Sequence, residues 1–189
     1  MGSRFAARPV VVAALASLVA CTAAGESGVA RLEALLAQHD SATLALEDWC
    51  RSQGIADPRV VAYPVVGSTV RAPDDLRERL GVSASEPLGL RHVRLACGEL
   101  TLSYAANWYV PGRLTPAMNA ALANTTTPFG KVAAPLNFRR ERIASNQGSG
   151  PGCPAETRLF QRALLRLPDG QALALVEECY VTASSGRGD

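Results

Sequence analysis

Hydrophobic and polar residues alternate with different periods along the chain, and these periods predict its elements. Over residues 29–50, apolar side chains recur at helical spacing, and Asp40 and Ser41 interrupt the pattern as capping residues. A valine-rich run over residues 59–70 predicts a β-strand. Residues 72–80 predict a short helix, because a proline suits its first turn and a glycine follows its end.

Two later stretches, residues 91–111 and 161–181, resemble each other. Each consists of an alternating strand, a glycine-containing turn and a second strand that ends in Tyr-Val, which predicts two β-hairpins. The other elements predicted in this half are a helix over 115–124, a strand over 132–143 and a loop over 145–154. Together they predict an α+β fold, in which helices pack against a mostly antiparallel sheet built from the two similar hairpins.

The N-terminus has the pattern of an export signal. Arg4 and Arg8 precede twelve uncharged, mostly apolar residues, too few to span a bilayer as a helix. The run ends in Leu18-Val19-Ala20-Cys21, which resembles the lipobox of bacterial lipoproteins. Residues 1–20 are therefore predicted to be a signal peptide, removed before Cys21, which would carry palmitate and related acyl chains. Cleavage at an ordinary small-residue site is the alternative.

Removal of the signal peptide changes the charge of the chain. Two arginines leave with it, so 17 basic and 17 acidic residues remain, and this neutral balance argues against nucleic-acid binding. We expect residues 21–28 to form a tether, residues 29–182 one domain and residues 183–189 a disordered tail. Because Thr22, rather than aspartate, follows Cys21, we expect the lipid anchor to lie in the outer membrane, with the domain facing the periplasm.

Four further cysteines, an even number, fit an oxidising compartment and predict two disulfides. Three pairings are possible, and we favour Cys50–Cys179 and Cys97–Cys153. The reason is that Cys179 lies one residue from Glu178 and so points to the other sheet face, where we expect the N-terminal helix to pack. With two histidines and no C-x-x-C, no metal site is predicted.

Motifs of common hydrolases and nucleotide-binding proteins are missing from the sequence, but another set of motifs is present. In chain order these are Ser41-Ala42-Thr43, Asn107-Trp108-Tyr109-Val110-Pro111, Thr127-Pro128-Phe129-Gly130, Arg139-Arg140 and Glu178. Their order resembles the chorismate lyase family. The stretch from Leu80-Gly81 to Pro111 is also similar to UTRA-type effector-binding domains, which share that fold. The resemblance implies a sheet that closes a small-molecule pocket and needs no cofactor.

Chorismate lyases eliminate pyruvate from chorismate to leave 4-hydroxybenzoate. The resemblance implies that Glu178 corresponds to the family's assisting glutamate, whereas Asn107 stands where the family has a carboxylate-gripping arginine. Ala42 stands where the family has a methionine beside the product. An amide cannot reproduce the bidentate clamp of a guanidinium. Chorismate is also a cytoplasmic intermediate, whereas this chain is predicted to be exported.

Three functions remain open at this point. The first is a membrane-anchored lipoprotein that binds a small aromatic or carboxylate ligand, the second an active chorismate pyruvate-lyase, and the third a cell-envelope interaction module with a filled pocket. For the first two, Glu178 is the tentative catalytic residue, and the predicted ligand-binding residues are Asn107, Ala42, Phe129, Arg139, Arg140 and Arg162. One of Arg139 and Arg140 is expected to point towards a carboxylate. Unless one of the three arginines reaches the pocket, Glu178 would be unpaired.

Overall fold

Two β-hairpins lie side by side and form the centre of a six-stranded antiparallel sheet. The computed structural model describes residues 28–67 and 69–181. The strand order is β1-β2-β3-β6-β5-β4, so the hairpins β2–β3 and β5–β6 meet along β3 and β6. The strands are β1 (Val61–Pro64), β2 (Gly89–Cys97), β3 (Leu100–Tyr109), β4 (Arg139–Gln147), β5 (Leu159–Arg166) and β6 (Ala172–Tyr180). The helices are α1 (Gly28–Gln38), α2 (Ala42–Ser52), α3 (Leu76–Leu80), α4 (Pro116–Asn124) and α5 (Phe129–Ala133).

One face of the sheet is covered by helices. Leu32 of α1 and Leu46 of α2 are fully buried against sheet residues such as Ala105. Phe129 of α5 packs with Val176 of β6 in a second cluster on the same face. We call this face of the sheet the helix side.

The segment between β1 and β2 covers the opposite face. Leu76 and Leu80 of α3 pack there against Trp108 and Leu175. Successive strand residues point to opposite faces, so Trp108 lies on this side and its neighbour Asn107 on the helix side. We call this second face the loop side. Within the described residues no helix is long and apolar enough to cross a bilayer.

The predicted α+β fold and its antiparallel sheet are confirmed. The two helical segments, the two hairpins and the helix opened by Thr115, whose side chain accepts a hydrogen bond from the Met118 backbone, also form as expected. Two of the predicted elements were too long. The first strand keeps only residues 61–64, and the predicted helix over 72–80 keeps only residues 76–80.

The predicted strand over 132–143 was wrong in its first half. Residues 129–133 form α5, and Ala134–Leu136 form a 3-10 turn. Proline at position 135 suits the first turn of that helix, and Asn137, with φ of 52°, ends it in the left-handed region. The strand therefore begins at Arg139 and continues to Gln147, into the stretch predicted as a loop.

The four cysteines form two disulfides, as expected, but both predicted pairings were wrong. Cys50 bonds to Cys97, and Cys153 bonds to Cys179. The error concerned which face the N-terminal helices cover. They pack on the helix side with Glu178, so Cys50 at the end of α2 meets Cys97, whereas Cys179 faces the loop side and meets Cys153. The predicted signal peptide (residues 1–20), the predicted anchor Cys21, residues 21–27 of the predicted tether and the predicted tail (residues 183–189) lie outside the described residues.

Each disulfide should contribute to the free energy of unfolding. The bonds close loops with sequence separations of 47 and 26 residues. We expect Cys50→Ala/Cys97→Ala and Cys153→Ala/Cys179→Ala to lower the free energy of unfolding by about 3 to 4 kcal/mol each. Urea denaturation measures the loss. Peptide mapping without reductant checks the pairing, and a Cys50–Cys179 peptide would contradict it.

Candidate functional site

A small cavity lies on the helix side, where the N-terminal ends of α2 and α5 approach the sheet. Its volume is about 30 Å³, roughly the space of one water molecule. Five of the predicted site residues line it, namely Ala42, Asn107, Phe129, Arg140 and Glu178. The motifs on which the chorismate lyase resemblance was based therefore converge on one place.

A buried ion pair closes one side of this cavity. Arg140 on β4 donates from Nη2 to Glu178 Oε2 on β6, and Gln161 Oε1 on the intervening strand β5 lies 3.4 Å from the same nitrogen. The side chains of Arg140 and Glu178 are only 5% and 6% exposed. Burial by itself would lower the pKa of Arg140, but the charge of Glu178 and its hydrogen bond raise the pKa above the ordinary value. Arg140 is therefore charged in the folded protein.

The backbone of Arg140 is held as well. Its N–H donates to Asp40 Oδ1 at 3.0 Å, in the turn between α1 and α2. Ser41, the next residue of that turn, packs so closely on Gly130 that a Cβ at that glycine would lie 2.3 Å from Ser41 Oγ. The residue type at position 130 thus allows α5 to approach α2, and this contact roofs the cavity.

Two buried oxygen atoms near the ion pair lack a partner among the described residues. These are the hydroxyl oxygens of Ser41 and Tyr180. Tyr180 lies beside Arg140 and Glu178. Its complete burial, and next the negative charge of Glu178, raise its pKa well above the ordinary value. A buried polar atom without a partner costs free energy, so Ser41 Oγ, which lines the cavity, is available to a water molecule or a ligand group.

Asn107 points to the same side but does not act as a clamp. Its Nδ2 lies 3.4 Å from the backbone oxygen of Arg91. The buried Arg91 side chain in turn donates to the carbonyl oxygens of Thr125 and Thr127, at 2.8 and 2.6 Å. Burial lowers the pKa of Arg91. Arg91 therefore fixes the segment that leads into α5.

The three candidate arginines separate. Arg140 reaches Glu178, whereas Arg139 is exposed. Arg162 lies on the loop side, where it binds Asp75 and approaches Glu177. The prediction that one residue of the Arg139-Arg140 pair points to a carboxylate and the other to solvent is confirmed. Arg162, which was predicted to bind the ligand, does not line this cavity. Glu178 is therefore paired, because one of the three arginines does reach it.

Sequence reasoning missed Gln161, Tyr180 and Arg91. Tyr180 could have been found from the period of two, because it lies two residues from Glu178 and shares its face. Gln161 is the register partner of Glu178 on β5 and lies on the same face. No comparable sequence signal identifies Arg91, whose partners are backbone carbonyls more than 30 residues away. Among residues 28–67 and 69–181, no group of three or more metal-ligating side chains is placed to hold a metal ion.

Comparison with known proteins gives one relative and a set of similar folds. No protein-family profile matches the sequence. The uncharacterized protein y4mC of Sinorhizobium fredii strain NGR234 is 38% identical over 169 residues, which cover 79% of this chain and 71% of y4mC. The chain belongs to the y4mC family. This relative is uncharacterized, so membership in the y4mC family assigns no activity.

The solved structures most useful for comparison are those of PhnF from Mycobacterium smegmatis. Whole PhnF superimposes with a TM-score of 0.53 at 15% identity, covering 75% of this chain and 64% of PhnF. The isolated effector domain of PhnF gives 0.52 at 15% identity and is covered over 88% of its length. The chain thus spans less than two thirds of whole PhnF. At 15% identity the similarity establishes only the fold of the present chain. This member of the y4mC family has a UTRA-like, chorismate lyase-like fold.

Removing one partner of the Arg140–Glu178 ion pair should destabilise the fold, because the other partner remains buried as an unpaired charge. We expect Arg140→Met and Glu178→Gln each to lower the free energy of unfolding by about 3 to 5 kcal/mol, because one buried charge loses its partner. The double variant Arg140→Met/Glu178→Gln should recover most of that loss, since it removes both charges. Urea denaturation of the four proteins measures the coupling, and additive losses would contradict it.

Proposed function

We propose that this protein is an exported lipoprotein whose domain binds a small aromatic carboxylate in the Arg140–Glu178 cavity. The observation that carries the proposal is a buried guanidinium in the same small cavity as the Ser41 hydroxyl, which lacks a partner in the described residues. Guanidinium groups bind carboxylates through two parallel hydrogen bonds, and hydroxyls donate to the same group. The UTRA-like fold supports the proposal, since the corresponding part of PhnF is an effector domain.

In this proposal the carboxylate of the ligand competes with Glu178 for Arg140. The 30 Å³ cavity holds no molecule of that size, so binding requires the roof to move. The roof is the start of α5, together with the segment that Arg91 binds at Thr125 and Thr127. The affinity therefore includes the free energy needed to displace Glu178 and to open this segment.

An interaction module with a filled pocket is the second candidate function. The small volume of the cavity favours it, as does the ring of Phe129, whose centroid lies 5.6 Å from that of Tyr109. The lyase hypothesis has weaker support. Arg140 is already engaged by Glu178, and Asn107 has no guanidinium to replace it, so we expect at most weak release of pyruvate from chorismate.

Ligand binding is tested by changing Glu178, which competes with the ligand, and Arg140, which is proposed to bind it. We expect Glu178→Gln to bind 4-hydroxybenzoate more tightly than the unmodified protein, by about tenfold or more, because Arg140 loses its internal carboxylate. Arg140→Gln should lose binding. Calorimetry on the chain from residue 22 gives both affinities, with 4-hydroxybenzyl alcohol as the uncharged control.

The same variants separate the alternatives. Absence of binding by the unmodified protein and by Glu178→Gln, with both proteins folded, would favour the filled interaction module. Strong pyruvate release from chorismate that disappears in Glu178→Gln would instead establish the enzyme. Arg139→Gln is the matched control, since this neighbouring arginine is exposed and should leave binding unchanged.

The lipid anchor depends on Cys21, which lies outside the described residues. We expect the unmodified protein to incorporate labelled palmitate and to fractionate with the outer membrane. Cys21→Ser should remain an unacylated, full-length precursor, whereas Thr22→Ser should be processed normally. If Cys21→Ser is still shortened and membrane-bound, cleavage at another site replaces the lipobox interpretation.

A further inference from the structure

A second, much larger cavity lies on the loop side of the sheet. Its volume is about 840 Å³, within the range of about 300 to 1,000 Å³ that is usual for small-molecule sites. Sheet residues form its floor, among them Ala106, Arg162 and Glu177. One wall comes from residues 69–74, before α3, and the other from residues 151–156.

Both walls are fixed to the sheet. The Cys153–Cys179 disulfide ties the second wall to β6. The first wall leaves the sheet after Val65, whose N–H donates to His92 O at 3.0 Å, and it returns at α3, which packs on the loop side. A cavity held at both sides is preorganised, so a ligand spends little free energy on forming it.

The charged groups at the floor of this cavity are paired with one another. Arg162 donates to Asp75, and its Nε lies 3.3 Å from Glu177 Oε1. Arg79 donates to the other carboxylate oxygen of Asp75. Two guanidinium groups therefore balance two carboxylates. A ligand charge of either sign would lack a counter-ion at this largely buried floor, which is unfavourable.

The remaining polar groups of the lining add no charge inside the cavity. Arg71 is bound to Asp74 at 3.0 Å, and both side chains are exposed at the rim. Burial lowers the pKa of His92, so its imidazole is neutral at neutral pH. Glu156 is exposed, and water and salt screen its charge. Most of the other lining side chains are apolar, so the cavity suits a neutral molecule with an apolar body.

One hydrogen-bond donor at the floor is left over. The Nε–H of Arg162 has no hydrogen-bond acceptor in the described chain, although Glu177 lies close to it. A buried donor without an acceptor costs free energy, so an acceptor that a ligand supplies is favourable. A carbonyl oxygen is such an acceptor and adds no charge to the balanced floor.

We propose that the loop-side cavity is a second binding site, for a neutral organic molecule with an apolar body and a carbonyl oxygen that accepts from Arg162 Nε–H. Amides and esters have this chemistry. Because the nitrogen is buried, the Arg162 side chain has to turn towards the cavity as the ligand binds, and the affinity includes the free energy of that movement. The site does not depend on the Arg140–Glu178 cavity, because the two lie on opposite faces of the sheet.

The test compares four probes that share an indole ring, namely indole-3-acetamide, indole-3-acetate, tryptamine and 3-methylindole. Their side groups are a neutral amide, an anion, a cation and a methyl group without an acceptor. We expect the purified full-length protein to bind indole-3-acetamide about tenfold more tightly than the other three, because only this probe accepts the hydrogen bond without adding a charge. Calorimetry in saturating 4-hydroxybenzoate measures the affinities, so that a carboxylate site at Arg140 does not contribute.

The donor is tested by a substitution that keeps the positive charge. Arg162→Lys retains a cation for Asp75 but removes the Nε–H. It should bind indole-3-acetamide about tenfold more weakly and 3-methylindole as the unmodified protein does. Arg166→Lys, the same change four residues further along β5 and outside the cavity lining, should leave both affinities unchanged.

A second variant keeps the test decisive if Arg162→Lys does not fold. Ala106→Phe extends a ring from the floor into the cavity and should prevent binding of indole-3-acetamide, whereas Ala117→Phe on the exposed side of α4 should not. A failure of 4-hydroxybenzoate to bind leaves these comparisons intact, so either site can fail without the other. Equal affinity for the four probes, no binding of indole-3-acetamide, or its binding by folded Ala106→Phe would overturn the proposal.

Discussion

The pleat of the central strand β6 forces its two consecutive glutamates to opposite faces of the sheet. β6 is paired on both sides, so neither carboxylate can reach solvent past a strand edge. An unpaired carboxylate in either layer would be strongly destabilising, so each needs a cation on its own face. Arg140 meets this need for Glu178, and Arg162 approaches Glu177. The chemistry of both cavities follows from this division.

The two disulfides follow the same division. Cys50–Cys97 joins the last turn of α2 to the end of β2 within the helix layer. Cys153–Cys179 joins a loop to the neighbour of Glu178 on the loop side. Each face therefore carries one covalent tie between the sheet and the structure that covers it. For a domain predicted to work in an oxidising compartment, these ties stabilise both layers without enlarging the apolar core.

Short-range patterns predicted the elements, and long-range packing decided the rest. The Tyr-Val ends of the two similar hairpins put Asn107 and Glu178 at equivalent positions, and both side chains do lie on one face of the sheet. The glycine turns predicted the hairpins correctly. The apolar run near Val132 fits a helix or a strand equally well, and only the contact between Gly130 and Ser41 shows why a helix packs there. The disulfide pairing failed because no local pattern states which face of the sheet the N-terminal helices cover.

The helix-side cavity differs from the pocket implied by the chorismate lyase resemblance in the position of the arginine. There, an arginine on the first hairpin would leave the glutamate of the second hairpin free to act on the ligand. Here the cation comes from β4 and already binds Glu178, while the Asn107 side chain donates to the backbone oxygen of Arg91. Glu178 thus occupies the guanidinium as an internal carboxylate. Any carboxylate that binds Arg140 therefore has to displace Glu178 first, and its observed affinity is reduced by the free energy of that displacement.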